Sequence, residues 1–227
     1  MKNIFTIFED NHLLVVEKPI NVPTQPDSSN DADLLSLLKN HLKEKHNKPG
    51  NVFLGLVHRL DRPVGGVILF AKNSKSAARI SEQIREQTLQ KTYLAIVHGN
   101  INKKADKLQH YLLKNEKLNK VEVFDKPTTD AQKALLSYEV IESKNNLSLV
   151  KIQLITGRPH QIRAQFSFIK HPLFADKKYG SKEKGNIALW SSKIICEHPV
   201  SKETLTFSSL PPRNQPWRTF SKCSKPL

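Results

Sequence analysis

Short polar joints between apolar runs constrain this chain more than any other feature. Ile4 to Phe8 and Leu13 to Glu17 flank the turn Glu9-Asp10-Asn11-His12, and Lys133 to Ile141 and Leu147 to Ile155 flank Lys144-Asn145-Asn146. A parallel pair needs a crossover of a dozen or more residues, so joints this short permit only antiparallel hairpins. Val67 to Lys72, introduced by Gly65-Gly66, reads as a further strand. So does Tyr93 to Val97, with Tyr93, Ala95 and Val97 on one face and Leu94 and Ile96 on the other. Ile187 to Trp190, Lys193 to Cys196 and Thr204 to Phe207 supply short strands late in the chain.

Three helices interrupt this pattern. Asp31 or Asp33 caps the first, which runs to about Lys45 with Leu35, Leu38 and Leu42 inward and ends at Lys48-Pro49-Gly50. Asn73 or Ser74 opens the second, with Ala77, Ile80 and Ile84 inward. Pro159 starts the third, which reaches about Ile169 on an Ile162, Phe166, Ile169 stripe. Residues 100–130, lysine-rich and weakly periodic, read as loops and short edge strands. Pro211-Pro212 opens a fraying tail after about residue 212. No repeat, linker or regular βαβ alternation appears. The expected architecture is a single α+β domain over 1–227, a mixed, largely antiparallel sheet flanked by helices.

A 38% hydrophobic share over 227 residues suffices for a core and excludes a disordered chain. Lysine and arginine number 36 against 21 acids, a net charge of +15 that points to a polyanion, RNA or DNA before membrane. Lysines 103, 104, 107, 114, 117 and 120 either track a phosphate backbone or form a solvated face. Cys196 and Cys223 make neither a disulfide framework nor, alone, a zinc site, which fits a reducing cytoplasm. Glu9-Asp10 interrupts any signal-peptide core, and no apolar run approaches the roughly 20 residues of a membrane span. A soluble cytoplasmic protein is expected.

Arginine is scarce, so its placement is informative. Four of the eight fall in His58-Arg59-Leu60-Asp61-Arg62-Pro63 and Thr156-Gly157-Arg158-Pro159-His160-Gln161-Ile162-Arg163, each at the edge of a regular element. Asp61, between two arginines, is kept ionised and could serve as nucleophile, base or ligand, or simply as a surface ion pair. Arg163 borders an apolar stripe and there needs a carboxylate partner, for which Asp61 is one candidate. Tyr93 could stack on a base or sit inside with its hydroxyl bonded. His58, Asp61, His160, His171 and Asp176 have no established metal-ligand spacing, and hydrogen-bonding roles fit the histidines better.

Taken in order, these segments resemble the RluA-like family of RNA pseudouridine synthases. Glu9 to Pro19 resembles the family's opening hairpin, and Val57-His58-Arg59-Leu60-Asp61 its catalytic motif. Gln90-Lys91-Thr92-Tyr93-Leu94-Ala95 resembles its tyrosine strand, and Thr156 to Arg163 its helix motif. His171-Pro172-Leu173, Asp176-Lys177-Lys178-Tyr179-Gly180 and His198-Pro199 close the series, which spans about residues 8 to 212. The resemblance implies that Asp61 is the catalytic aspartate, that Tyr93 stacks on the target base and that Arg163 pairs with Asp61. Arg59 matches the arginine that displaces the target nucleotide. Arg62, Arg158 and His160, in the same two motifs, are assigned to RNA contact, and Ile194 matches the apolar residue of the last site motif.

Two departures stand out. Val64-Gly65-Gly66 replaces the usual threonine-serine-glycine, and the separate N-terminal RNA-binding domain of many relatives is not expected here. The implied reaction is site-specific isomerisation of uridine in structured ribosomal or transfer RNA. An aspartate promotes glycosidic cleavage, directly as nucleophile or through a glycal. The uracil then turns and rejoins through carbon 5. Because the same atoms leave and return, neither metal nor organic cofactor is needed. A monomer acting on RNA, without membrane, is expected. A metal-dependent RNA hydrolase using His58, Asp61, His160 and Asp176 and a non-catalytic RNA-binding or ribosome-assembly factor are the competing readings.

Overall fold

A computed structural model describes residues 4–47 and 49–224. The elements are β1 (Phe5–Glu9), β2 (Leu13–Lys18), α1 (Leu34–Lys45), β3 (Gly55–Leu56), β4 (Gly65–Ala71), α2 (Ser74–Arg85) and β5 (Gln90–His98). Then come β6 (Ala105–Asn115), β7 (Lys120–Phe124), β8 (Gln132–Lys144), β9 (Leu147–Leu154), α3 (Gln161–Phe168), β10 (Leu189–Glu197) and β11 (Thr204–Ser208). Three α-helices and a predominance of antiparallel pairs make this the expected α+β class. The chain divides into two compact units, one of residues 1–89 and 193–209, the other of 90–192 and 210–227.

In the first unit, β1 pairs with β2, β2 with β4, β3 with the end of β4, and β11 with β10. The core gathers Leu13, Val15, Val67, Leu69, Ile80, Ile194 and Phe207. Asp33 caps α1 by accepting the Ser36 N–H, and Asn73 caps α2 through the Ser76 N–H. The buried stripe of α1 is Leu34, Leu38 and Leu42, so Leu34 rather than Leu35 leads it. A start just after Asp33 sets that phase, each buried leucine four residues beyond the last. Of the break expected at Lys48-Pro49-Gly50, Lys48 lies outside the described residues.

In the second unit the strand order is β5-β9-β8-β6-β7, antiparallel throughout. The β8–β9 turn is the expected one, with Asn145 and Asn146 both at φ 54°, the left-handed pair a tight hairpin requires. Residues 100–130 hold turns and the short edge strand β7, as expected, but also one long strand. They form the eleven-residue β6 and its hairpin partner β7, because Leu108, His110 and Leu112 alternate inward. The tail does not fray at Pro211-Pro212: two 3-10 turns, Trp217–Thr219 and Ser221–Ser224, bury Trp217, Phe220 and Cys223. The two strands expected at 187–190 and 193–196 are one, β10, since Ser191 and Ser192 are buried and Ser192 Oγ donates to Thr92 O at 3.0 Å.

Candidate active site

Asp61 follows β3 in the loop that leads into β4. The turn closes with the Val64 N–H on Asp61 O at 2.9 Å. The carbonyls on either side of the aspartate are each held by a buried side chain. Thr24 Oγ1 donates to Leu60 O at 2.7 Å, and Lys18 Nζ donates to Arg62 O at 3.0 Å. Lys18 also donates to Val22 O at 2.6 Å and Pro19 O at 3.0 Å, and none of its surface is exposed. Burial pulls its pKa down from 10.5 to about 7, against the opposing pull of Asp61. An ammonium with three carbonyl acceptors is thus a rigid post under the Asp61 loop.

The sequence reading missed Lys18, although the continuous apolar run before it offered the signal. Leu13 to Val16 are all buried, so β2 is covered on both faces where it reaches Lys18. The departure at Val64-Gly65-Gly66 is accommodated by the same device. Gly66, at φ 110° where a side chain is strained, is the register partner of Lys18.

Other residues of this motif take distinct places. His58 Nε2 accepts the Leu69 N–H at 3.0 Å, the hydrogen-bonding role expected of it. Arg59 is exposed and, among the described residues, in no ion pair. Arg62 donates to Ser29 Oγ at 2.9 Å and to the Asp31 carboxylate, with Asp27 at 3.8 Å. These groups are over 40% exposed, so the contact orders the 27–31 loop yet is open to exchange with a phosphate. Ile194 has no exposed surface and packs in the core of the first unit. Nearby, His198 Nε2 meets Asp10 Oδ2 at 2.9 Å while Asp10 Oδ1 accepts the His12 and Leu13 N–H groups, joining the β1–β2 and β10–β11 turns.

In the second unit, Tyr93 lies on β5, 5% exposed, opposite Ile152 of β9. Arg163 projects from α3 into the interior. It forks onto Asp176, Nε to Oδ2 at 2.7 Å and Nη2 to Oδ1 at 3.0 Å, with 5% and 0% of the two side chains exposed. Its guanidinium carbon stands 5.1 Å from the centre of the Tyr179 ring. The Tyr179 hydroxyl accepts the Val121 N–H at 2.9 Å and meets His160 Nδ1 at 2.9 Å. One buried carboxylate partner of Arg163 is thus Asp176, thirteen residues away in the Asp176-Lys177-Lys178-Tyr179-Gly180 segment. That segment closes with Gly180 at φ 104°. His160 is the N-terminal boundary residue of α3, and Arg158 Nε donates to Lys133 O at 3.1 Å. Among the described residues no three His, Cys, Asp or Glu side chains cluster as a metal site. No described helix is long and apolar enough to cross a membrane.

Sequence comparison identifies the family to which these motifs belong. Residues 12–168 match the RNA pseudouridylate synthase family, and the chain belongs to it. It is 32% identical over 212 residues to a ribosomal large subunit pseudouridine synthase C of Haemophilus influenzae, covering 89% of this chain and 64% of that protein. Similarity to the uncharacterized RNA pseudouridine synthase YhcT of Bacillus subtilis is 32% over 208 residues, 88% of this chain and 66% of that one. The chain thus spans just under two thirds of the length of these relatives. Its fold is shared with the solved structure of human RNA pseudouridylate synthase domain containing 4. There the TM-score is 0.78 at 23% identity, covering 92% of this chain and 89% of that one.

Proposed function

We propose that this protein isomerises uridine to pseudouridine in RNA. The observation that carries the reading is the family match over residues 12–168, which includes Asp61, Tyr93 and Arg163 in the motifs expected of them. Asp61 is the catalytic carboxylate, and the two pinned carbonyls beside it fix where it points. Tyr93 stacks on the target uracil, and Arg163, its plane set by Asp176, completes the catalytic set that the resemblance implies. In the reaction the bond from ribose carbon 1′ to N1 breaks and one from carbon 1′ to carbon 5 forms. N1 gains a proton and carbon 5 loses one, so no oxidant, metal or organic cofactor enters the balance.

Extracting the uridine from its stack costs a few kcal/mol, of which stacking on Tyr93 returns about 1–3 kcal/mol. The exposed Arg59 fits the role of displacing the nucleotide, with Arg62, Arg158 and His160 as further RNA contacts. The net charge of +15 supports a polyanionic partner. Large-subunit ribosomal RNA is the substrate favoured by the names of the relatives, with transfer RNA the next choice. The protein acts as a monomer in the cytoplasm. No observation favours a non-catalytic RNA-binding factor or a metal-dependent hydrolase.

The test is pseudouridine mapping of total RNA from cells with and without the gene. Loss of one or a few sites in ribosomal RNA is expected. An unchanged map, together with no tritium release from carbon 5 in vitro, would overturn the reading.

A further inference from the structure

Lys91 precedes Tyr93 by two residues on β5, so the pleat puts both side chains on one face of the strand. Only 6% of Lys91 is exposed, and burial alone lowers its pKa. Lys18, equally buried, satisfies its ammonium on three carbonyls. Among the described residues Lys91 Nζ has neither an acceptor nor a carboxylate partner. The buried stem thus carries an ammonium that no described protein group neutralises, and a cation presented in this way is open to a ligand that completes it.

The end of the side chain shows where that ligand enters. A Cβ at Gly157 would lie 3.4 Å from Lys91 Nζ, and Gly157 itself is exposed. The turn around this glycine is fixed. Thr156 Oγ1 and the Arg158 N–H both donate to Gln161 Oε1, at 2.8 and 3.0 Å, and Gln161 Nε2 donates to Leu135 O at 3.0 Å. The amine therefore ends at a rigid notch whose wall lacks a side chain, so the backbone of a ligand can approach closely.

We propose that Lys91 binds a phosphate of the RNA strand at or beside the target uridine, reaching the anionic oxygen through the notch at Gly157. A phosphodiester is the anion that RNA offers at neutral pH, and a neutral uracil carbonyl would leave the buried charge unbalanced. The shared face with Tyr93 puts this contact next to the proposed base-stacking residue. The inference rests on the isomerase reading and adds a substrate-binding residue to it.

The test uses an unmodified large-subunit ribosomal RNA transcript, with binding measured across a salt titration. Lys91→Met is expected to weaken binding about tenfold at low salt. It should also reduce the slope of log K against log salt by about 0.7–0.9, the share of one phosphate. Lys91→Arg should keep the slope, and Gly157→Leu should reproduce the loss with the lysine in place. The melting temperature of Lys91→Met should stay close to wild type, because the ammonium makes no bond to a described residue of the protein. An unaltered slope in Lys91→Met overturns the proposal, and a lowered melting temperature beside that slope marks a structural lysine. Wild-type tritium release with an unaltered mutant slope removes this inference alone. A changed slope without wild-type tritium release removes the isomerase reading and leaves the phosphate contact.

Discussion

Asp176→Leu is the sharpest perturbation of the site's interior. The carboxylate has no exposed surface and takes both arms of the Arg163 fork, at 2.7 and 3.0 Å. Removing one partner of a buried pair costs about 3–5 kcal/mol. Leucine removes both acceptors and belongs at the upper end, whereas Asp176→Asn keeps one acceptor and belongs near 3 kcal/mol, about the lower bound. For a chain of this size each kcal/mol lowers the melting temperature by about 2–4 °C, so Asp176→Leu should melt about 10–20 °C below wild type. Circular dichroism melts at fixed salt and protein concentration measure this. Arg163→Met/Asp176→Leu should lose distinctly less than the two single changes combined, since their shared interaction is then lost only once. A loss below about 1 kcal/mol for Asp176→Leu, or strict additivity in the double variant, would refute the reasoning.

Other expectations follow from the same geometry. Lys18→Met should lower turnover by roughly tenfold to a hundredfold by releasing the Asp61 loop, with KM for RNA little changed; a kcat and KM determination by tritium release checks the split. Thr24→Val leaves Leu60 O without its hydroxyl donor and should cost about 1–3 kcal/mol in a urea titration. Glu9 meets Lys45, Lys72 and His46. Burial pushes its pKa up, but their hydrogen bonds outweigh this and hold it at about 2 against 4.5. A depressed carboxylate stabilises above the unfolded pKa and loses that contribution as pH falls through the folded one. Glu9→Gln should therefore cost up to about 3 kcal/mol at pH 7, and the difference should shrink between about pH 4.5 and pH 2; acid unfolding of both proteins would show it.

Local signals carried much of this fold, and their reach explains what was hidden. Asp33 and Asn73 announced their helices because a capping side chain acts within three residues. Asn145-Asn146 announced a hairpin because both residues tolerate left-handed backbone. By contrast, β6 escaped because its inward stripe includes His110, which reads as polar in the sequence yet is buried against Phe168 and Gln165. The C-terminal turns escaped for another reason. Pro211-Pro212 is a sound break signal, but the burial of Trp217 and Phe220 beyond it depends on tertiary packing.

The site was legible in the same uneven way. Ordered motifs marked Asp61, Tyr93 and Arg163, and the need of Arg163 for a carboxylate was correctly anticipated. That Asp176 supplies one could not be read, since the thirteen-residue separation falls outside any helical or strand repeat. Lys18 was hidden by the habit of reading lysine as solvated, which its position at the end of the buried run of β2 contradicts. Ile194, the apolar match in the last site motif, packs in the core of the first unit.

The central claim is that Asp61 drives uridine isomerisation, and tritium release measures it most directly. Total RNA transcribed with uridine tritiated at carbon 5 is incubated with wild-type protein and with Asp61→Asn, and tritium in water is counted against time. Carbon 5 loses its hydrogen only when the new bond to ribose forms, so release reports the rejoining step itself. The account expects release from wild type, abolition in Asp61→Asn, and RNA affinity within a few-fold between the two. Release by Asp61→Asn at a rate near wild type, or none by wild-type protein that binds RNA, would contradict it.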